Sequence, residues 1–256
     1  MPFSTESTPA NRRAYTVLAL LLAGVAGAVN ATGFVALGLH TSHMSGNMAS
    51  LGESLALGER RLAVLAAQVL GAFVLGAVTA SALLDASRHR ARGRHAAALL
   101  VETLTLGGIG VVLASTHGAR DPVLMWGLSF AMGLQNALVT RVSGAVVRTT
   151  HVTGVLTDIG IQLVRMVAWV RDGARGQGVS GLLRQVRALP SAIEFERTRL
   201  HLGLALAFLL GATGGPVLYV RHGPAALGLP CAVLLLLTGL DLGYAGHGQP
   251  GHASRA

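Results

Sequence analysis

Long apolar runs alternate with short polar punctuation along this chain. Six runs, Ala14–Leu39, Leu62–Leu84, Ala96–Ser115, Pro122–Thr140, Leu200–Val220 and Gly223–Leu240, each come near the roughly 20 residues a helix needs to cross the hydrocarbon core of a bilayer. The pattern predicts an all-α membrane protein with six transmembrane helices. Met1–Asn11 is polar, and Arg12 and Arg13 precede the first run. Ala28-Val29-Asn30-Ala31 has the small residues of a signal-cleavage site, but the run extends well past a signal core and is read as a span.

The polar punctuation repeats. Thr41–Gly52 aligned with Thr149–Gly160 gives identities at Thr, His, Gly and Gly, with Ser/Thr, Met/Val, Met/Leu and Leu/Ile exchanges between them. Upstream, Gly27-Ala28-Val29-Asn30-Ala31 echoes Gly133-Leu134-Gln135-Asn136-Ala137. Self-similarity of this kind predicts a duplication. The expected organisation is a polar tail over 1–13, a three-helix unit over 14–115, a second over 122–240, and a tail over 241–256. With three spans each, the second unit enters from the opposite face, giving a 3+3 inverted repeat with broken-helix motifs, as in many secondary transporters.

The second unit carries an insertion. Val155–Val170 is amphipathic, with Asp158, Gln162 and Arg165 on one face, and 171–198 follows it. Within that stretch, Gly181–Leu189 sets Leu182, Leu183, Val186 and Leu189 opposite Arg184 and Arg187. The expectation is a helix on the cytoplasmic leaflet touching anionic lipid headgroups; packing on another cytoplasmic element is the alternative.

Composition agrees with a membrane class: 52% of residues are hydrophobic, 12% charged, and mean hydropathy is +0.57. All 20 basic residues are arginine. No basic stripe interleaved with aromatics accompanies them, so no nucleic-acid partner is expected. The six-span reading puts Arg60, Arg61, Arg120 and Arg221 on one side and the other arginines on the amino-terminal side. The positive-inside rule makes that side cytoplasmic, predicting a multi-pass inner-membrane protein with both termini inside. Cys231, the single cysteine, allows no disulfide framework. A homo-oligomer is compatible with the pattern, and no cofactor is implied.

Three kinds of polar residue carry candidate chemistry. The two motifs offer hydroxyls, a histidine and a glycine ahead of predicted helices over Met48–Leu57 and Val155–Val170, with Ser45 or Thr153 as caps. A helix start exposes free N–H groups and suits an anion. The candidate solute-binding set is Asn30, Thr41, Ser42, His43, Ser45, Gly46, Asn47, Gln135, Asn136, Arg148, Thr149, Thr150, His151, Thr153 and Gly154. His43, His151 and Glu102 are candidates for proton coupling; for Glu102 the alternative is an interfacial pair with Arg94 or His95. No metal site is expected, because His40 with His43 and His151 lacks matching Cys or carboxylate ligands. No hydrolase elbow, zincin or phosphate-loop motif occurs, so the chain is not expected to be an enzyme.

The stretches Gly33-Phe34-Val35-Ala36-Leu37-Gly38, Ser45-Gly46-Asn47, Gly133-Leu134-Gln135-Asn136-Ala137 and Arg148-Thr149-Thr150-His151-Val152-Thr153-Gly154 resemble the YoaK-like family of bacterial inner-membrane proteins, defined by a domain of unknown function. The resemblance runs from about Ala14 to Leu240. It implies a multi-pass membrane protein of unassigned activity and supplies no substrate. Family members often carry Asp-Ala at Asn30-Ala31 and Thr-Gly-Asn at Ser45-Gly46-Asn47, so this chain lacks a carboxylate in its first span. The expectation is a small secondary transporter or permease for an anionic or zwitterionic solute. The alternative is a non-transporting scaffold or regulatory partner that uses the basic cytoplasmic surface.

Overall fold

The structure is a computed structural model that describes residues 9–38, 40–90, 92–115, 121–142, 150 and 152–243. Among the described residues there is no strand. The helices are α1 (Pro9–Leu37), α2 (Met44–Ala56), α3 (Arg60–Ala86), α4 (Ala96–Ser115), α5 (Pro122–Val142), α6 (Val152–Gly173), α7 (Gly178–Ala188), α8 (Glu196–His222) and α9 (Gly228–Gly243). The tails over 1–8 and 244–256 lie outside the described residues.

Four of the predicted spans match their helices to within a few residues, and the fifth sits inside the longer α8. The sixth differs: Gly223–Leu227 forms a 3-10 turn, and α9 starts only at Gly228. Gly223 has φ 61°, a left-handed conformation that favours glycine, and Pro224 follows it. Gly223 therefore ends α8 and Pro224 opens the turn, so the first residues of the predicted span stay outside α9. By length and apolarity, Ile193–Gly243 counts as one membrane-crossing stretch, and α6 enters the set of six as Val152–Gly173. Val155–Val170 is not among the six spans expected from sequence, and the leaflet-bound helix is expected within the insertion that includes Gly181–Leu189.

Two helix pairs form the tightest contacts, α1 with α8 and α3 with α5. In both, glycine lets one backbone press against the other. A Cβ on Gly27 would overlap the carbonyl oxygen of Phe208, and one on Gly211 would overlap that of Gly24. Likewise a Cβ on Gly133 would overlap the oxygen of Phe73, and one on Gly76 that of Phe130. Small residues at such crossings replace the hydrophobic drive that lipid removes. The two crossings correspond residue for residue. Gly27 and Gly24 in α1 match Gly133 and Phe130 in α5, and Phe73 and Gly76 in α3 match Phe208 and Gly211 in α8. The second match lies in Ala72-Phe73-Val74-Leu75-Gly76-Ala77 and Ala207-Phe208-Leu209-Leu210-Gly211-Ala212.

Contacts also fix the run of the helices. Along α1, Leu20 meets Gly203, Gly24 meets Ala207 and Ala28 meets Gly215, so α1 and α8 are parallel. Gly76 against Phe130 and Asp85 against Arg141 make α3 and α5 parallel. Ile109 against Gly127 makes α4 and α5 antiparallel. The end of α9 meets the start of α4 through Asp241 and His95, while the turn just before α9 meets Gly110. Asp85, His95, Arg141 and Asp241 thus mark one end of the bundle. Helix α8 reaches the turn beside the far end of α4, and its 27 residues span about 40 Å. It therefore starts toward the end marked by Asp85, His95, Arg141 and Asp241.

The core lies where α1, α4, α5 and α9 meet. Leu22, Leu106, Leu128, Met132, Leu134, Leu138 and Leu234 are fully buried there. The outer faces are apolar too. Leu75 on α3 is 62% exposed and Leu210, its counterpart on α8, is 73% exposed. A contiguous apolar exterior of this kind is a liability in water and ordinary in lipid.

Candidate functional site

α1 stops at a glycine. Gly38 adopts φ 79°, and its N–H donates to Phe34 O at 2.8 Å, closing the last turn in the manner of a left-handed C-terminal cap. The chain then crosses a short irregular stretch and starts α2 at Met44, with His43 as the residue before the helix. One side chain from inside α1 organises that stretch. Asn30 Oδ1 accepts the Ser42 backbone N–H at 2.9 Å, and Asn30 Nδ2 lies 3.4 Å from His40 Nδ1. His40 stacks on Phe34, with ring centroids 4.3 Å apart. From the other side, Asn47 Nδ2 donates to His40 O at 3.5 Å. Thr41 is fully buried, and among the described residues its hydroxyl has no hydrogen-bond partner.

The predicted caps are not the observed ones. Ser45 and Thr153 lie inside the first turns of α2 and α6, and both are exposed. His43 makes no side-chain cap bond either. Its ring instead covers the first turn of α2, where a Cβ on Gly46 would collide with it. A larger residue at that position would have to displace the exposed histidine ring. His40 is a site residue the sequence reading left out of the binding set. Burial lowers its pKa below the ordinary histidine value, and His43 nearby lowers it further.

The second break follows α5. Thr150 Oγ1 donates to Asn136 Oδ1 at 2.6 Å. Asn136 occupies the position in α5 that Asn30 occupies in α1, and Thr150 aligns with Ser42. Arg148, Thr149 and His151 lie outside the described residues. Gly154 is partly buried in the first turn of α6. Gln135 serves the helix core instead: its Nε2 donates to Leu22 O of α1 at 2.8 Å, while Oε1 is buried without a partner. The breaks follow the ends of α1 and α5, which lie at opposite ends of the bundle. Among the described residues no hydrogen bond or ion pair joins α2 to α6.

Glu102 sits apart from both breaks. It is fully buried in α4, and among the described residues neither oxygen has a hydrogen-bond partner. The interfacial pairing considered for it is not made. His95 bonds Asp241, with Nδ1 donating to Oδ1 at 2.8 Å, and Arg94 donates to Arg88 O. Asp241 Oδ2 also accepts the backbone N–H groups of His95 and Ala96, at 2.8 Å and 2.9 Å, and so caps α4 from the end of α9. Among the described residues no group of three or more His, Cys, Asp or Glu gathers as a metal cage.

Two of the three comparisons with known proteins are silent: no curated protein and no solved structure matches the chain. The third is not, and it agrees with the motif resemblance, since the YoaK-like proteins fall within the matched family. The family described as "Protein of unknown function (DUF1275)" matches residues 18–240, from within α1 to near the end of α9, and the chain belongs to that family.

Proposed function

We propose that this protein is a small secondary transporter or permease, built as an inverted repeat in the bacterial inner membrane, for an anionic or zwitterionic solute. The observation that carries the reading is the pair of asparagine-anchored breaks. Asn30 holds Ser42 after α1, and Asn136 holds Thr150 after α5. The reciprocal glycine crossings support the repeat. So do the run directions: α1, α3 and α4 point one way, the other and back, while α5, α8 and α9 take the opposite senses. Secondary transporters commonly place interrupted helices at such a repeat interface. Irregular backbone at membrane depth is tolerated where protein or a wet cavity surrounds it.

In this reading α1, α3, α4, α5, α8 and α9 cross, and α2 does not. With 13 residues α2 is about 20 Å long, shorter than the bilayer core of about 30 Å. α6 is long enough, but the directions of α5 and α8 argue against it. Both the end of α5 and the start of α8 lie toward the Asp85–Arg141 end, and the 11-residue α7 is too short to bring a crossing α6 back. α6 and α7 then lie along one leaflet, with Leu182, Leu183 and Val186 exposed beside Arg184 and Arg187. The arginine distribution makes that side cytoplasmic and both termini internal.

The charge preference follows from the first break. α2 begins without a side-chain cap. Its start offers about half a positive charge, and no acidic residue occupies its first turn. The two breaks act as gates at opposite ends of one seam, Asn30 holding the Ser42 backbone and Asn136 the Thr150 hydroxyl. The test is uptake by purified protein in liposomes, offered labelled anions, zwitterions and cations under matched gradients. Saturable flux of an anionic or zwitterionic solute supports the reading, whereas cation-selective flux contradicts its charge preference. Monodisperse, folded protein that carries none of the solutes would instead favour the scaffold role, with the exposed apolar and basic face of α7 as its contact surface.

A further inference from the structure

Glu102 takes no part in either gate, yet its surroundings are unusual for a carboxyl group. It is completely enclosed, and among the described residues neither oxygen has a hydrogen-bond partner. α4 packs against α9, α5, the Gly223–Leu227 turn and α3. Among the described residues, the charged groups on those elements are few and lie near helix ends. α5 carries Arg141, which is bonded to Asp85 of α3. α3 otherwise carries Arg60 and Arg61 at its start. α9 carries Asp241, engaged by His95, and the turn carries none. The titratable neighbour on α9 is Cys231, whose Sγ lies 3.7 Å from Thr103 O. On α4 itself, His95 is nearly two turns away and already committed to Asp241.

An ionised carboxylate in that place would have neither a donor nor a counter-ion, and buried charges without partners are not sustained. A metal cation would need several oxygen ligands. The nearby hydroxyls are turned elsewhere, Thr103 Oγ1 to Leu99 O at 2.7 Å and Thr105 Oγ1 to Val101 O at 2.8 Å. A proton needs no further ligand. We infer that Glu102 is a proton-binding group, holding its proton in the enclosed arrangement seen here and exchanging it with water when the packing around α4 opens. The role of that exchange rests on the transport reading: a proton bound at Glu102 offsets the charge of an anionic solute moving in the same direction. The binding of the proton does not rest on it.

The test uses dicyclohexylcarbodiimide, an apolar reagent that reaches groups buried in a bilayer. It adds the acid O–H across one C=N bond, with the proton going to nitrogen and the carboxyl oxygen to carbon, so only a protonated carboxyl reacts. The full-length protein is reconstituted in vesicles of phosphatidylethanolamine and phosphatidylglycerol without any solute. It is exposed to the reagent from about pH 5 to about pH 9, the range in which buried glutamates titrate, and the adduct is located by peptide mass mapping. The expected result is an adduct on Glu102 that is absent from Glu102→Gln. Above its midpoint, its yield falls about tenfold per pH unit. Mapping on the native protein locates the site even if the variant folds poorly. No adduct on Glu102 at any pH overturns the inference. A yield that ignores pH does so too, as does protection by sodium or potassium ions equal to that given by raising the pH. Because the labelling needs no flux, its failure leaves the transport reading standing, and absent flux leaves the labelling result standing.

Discussion

Asn136 accepts a hydrogen bond from the Thr150 hydroxyl at 2.6 Å, fourteen residues along the chain and across the break that follows α5. Asn30 accepts one from the Ser42 backbone at the aligned place after α1. In each case an amide within the helix reaches forward past the helix end, Asn30 to a backbone N–H and Asn136 to a side-chain hydroxyl. Each such bond is worth about 1 kcal/mol net, and more when its loss leaves a buried group unpaired. Gly46 beneath the His43 ring and Asn47 against His40 O complete the first break, so its start is held from both sides.

The glycine crossings predict unequal costs for one chemical change. Gly133→Ala and Gly27→Ala place a methyl group on a facing carbonyl oxygen and should destabilise the protein by about 1–3 kcal/mol. Gly71→Ala, with nothing within 4 Å, should be neutral or stabilising by up to about 1 kcal/mol. Thermal unfolding in detergent reads the difference. Equal midpoints for Gly133→Ala and Gly71→Ala would mean that the close approach of α3 and α5 does not hold in the membrane.

Asp241 ties α9 to the start of α4 through three hydrogen bonds. Asp241→Ala should lower stability by about 1–3 kcal/mol. It should also speed hydrogen exchange of the His95 and Ala96 amides, while exchange near Asn136 stays unchanged. Exchange mass spectrometry separates this local opening from general unfolding.

His40 gives a pH dependence of definite sign. Its folded pKa is lowered by burial and then by His43, so the unfolded state binds the proton more readily. Stability therefore rises with pH from the lowered folded value to the unfolded value of about 6.5 and is constant above it. Acidification through that window should loosen the stretch after α1, because a charged ring is disfavoured by burial and by His43 and no longer offers Nδ1 as an acceptor to Asn30 Nδ2. His40→Asn should flatten this part of the melting-temperature profile between about pH 5 and about pH 7. An unchanged profile would assign the dependence to another group.

Run directions predict a labelling pattern. In a Cys231→Ser background, His89→Cys and Gln177→Cys should react alike with an impermeant thiol reagent, and only after the inner membrane is permeabilised. Glu59→Cys, in the turn between α2 and α3, should react in intact cells. Reaction of Gln177→Cys but not His89→Cys from outside would mean that α6 crosses.

Much of this was readable before the structure, for physical reasons. Spans are set by length and apolarity, which the sequence carries openly, and Asn30 and Asn136 stand out because amides are rare in apolar runs. Other features were hidden. The match of Ala72–Ala77 with Ala207–Ala212 escapes a search at the spacing of the Thr-x-His motifs, because the segment around α7 pushes α8, the second crossing helix of the second unit, further along the chain. The 3-10 turn over Gly223–Leu227 is hidden because its residues are apolar like the helix they precede. His40 carries no local signal, because its role comes from Phe34 one face of α1 away. The placement of Ser45 and Thr153 as caps failed because hydroxyls near a helix start look alike in sequence whether they precede the helix or lie within its first turn.

Flux through the two asparagine variants tests the account most directly. Asn30→Ala and Asn136→Ala, each reconstituted in liposomes at matched orientation and protein content, are compared with the parent protein for uptake of the solute the parent carries. The account predicts that either change lowers uptake at least about tenfold, the loss of about 1.4 kcal/mol, while both variants remain monodisperse and helical. Parent-level uptake by both folded variants would contradict the claim that the paired breaks gate transport.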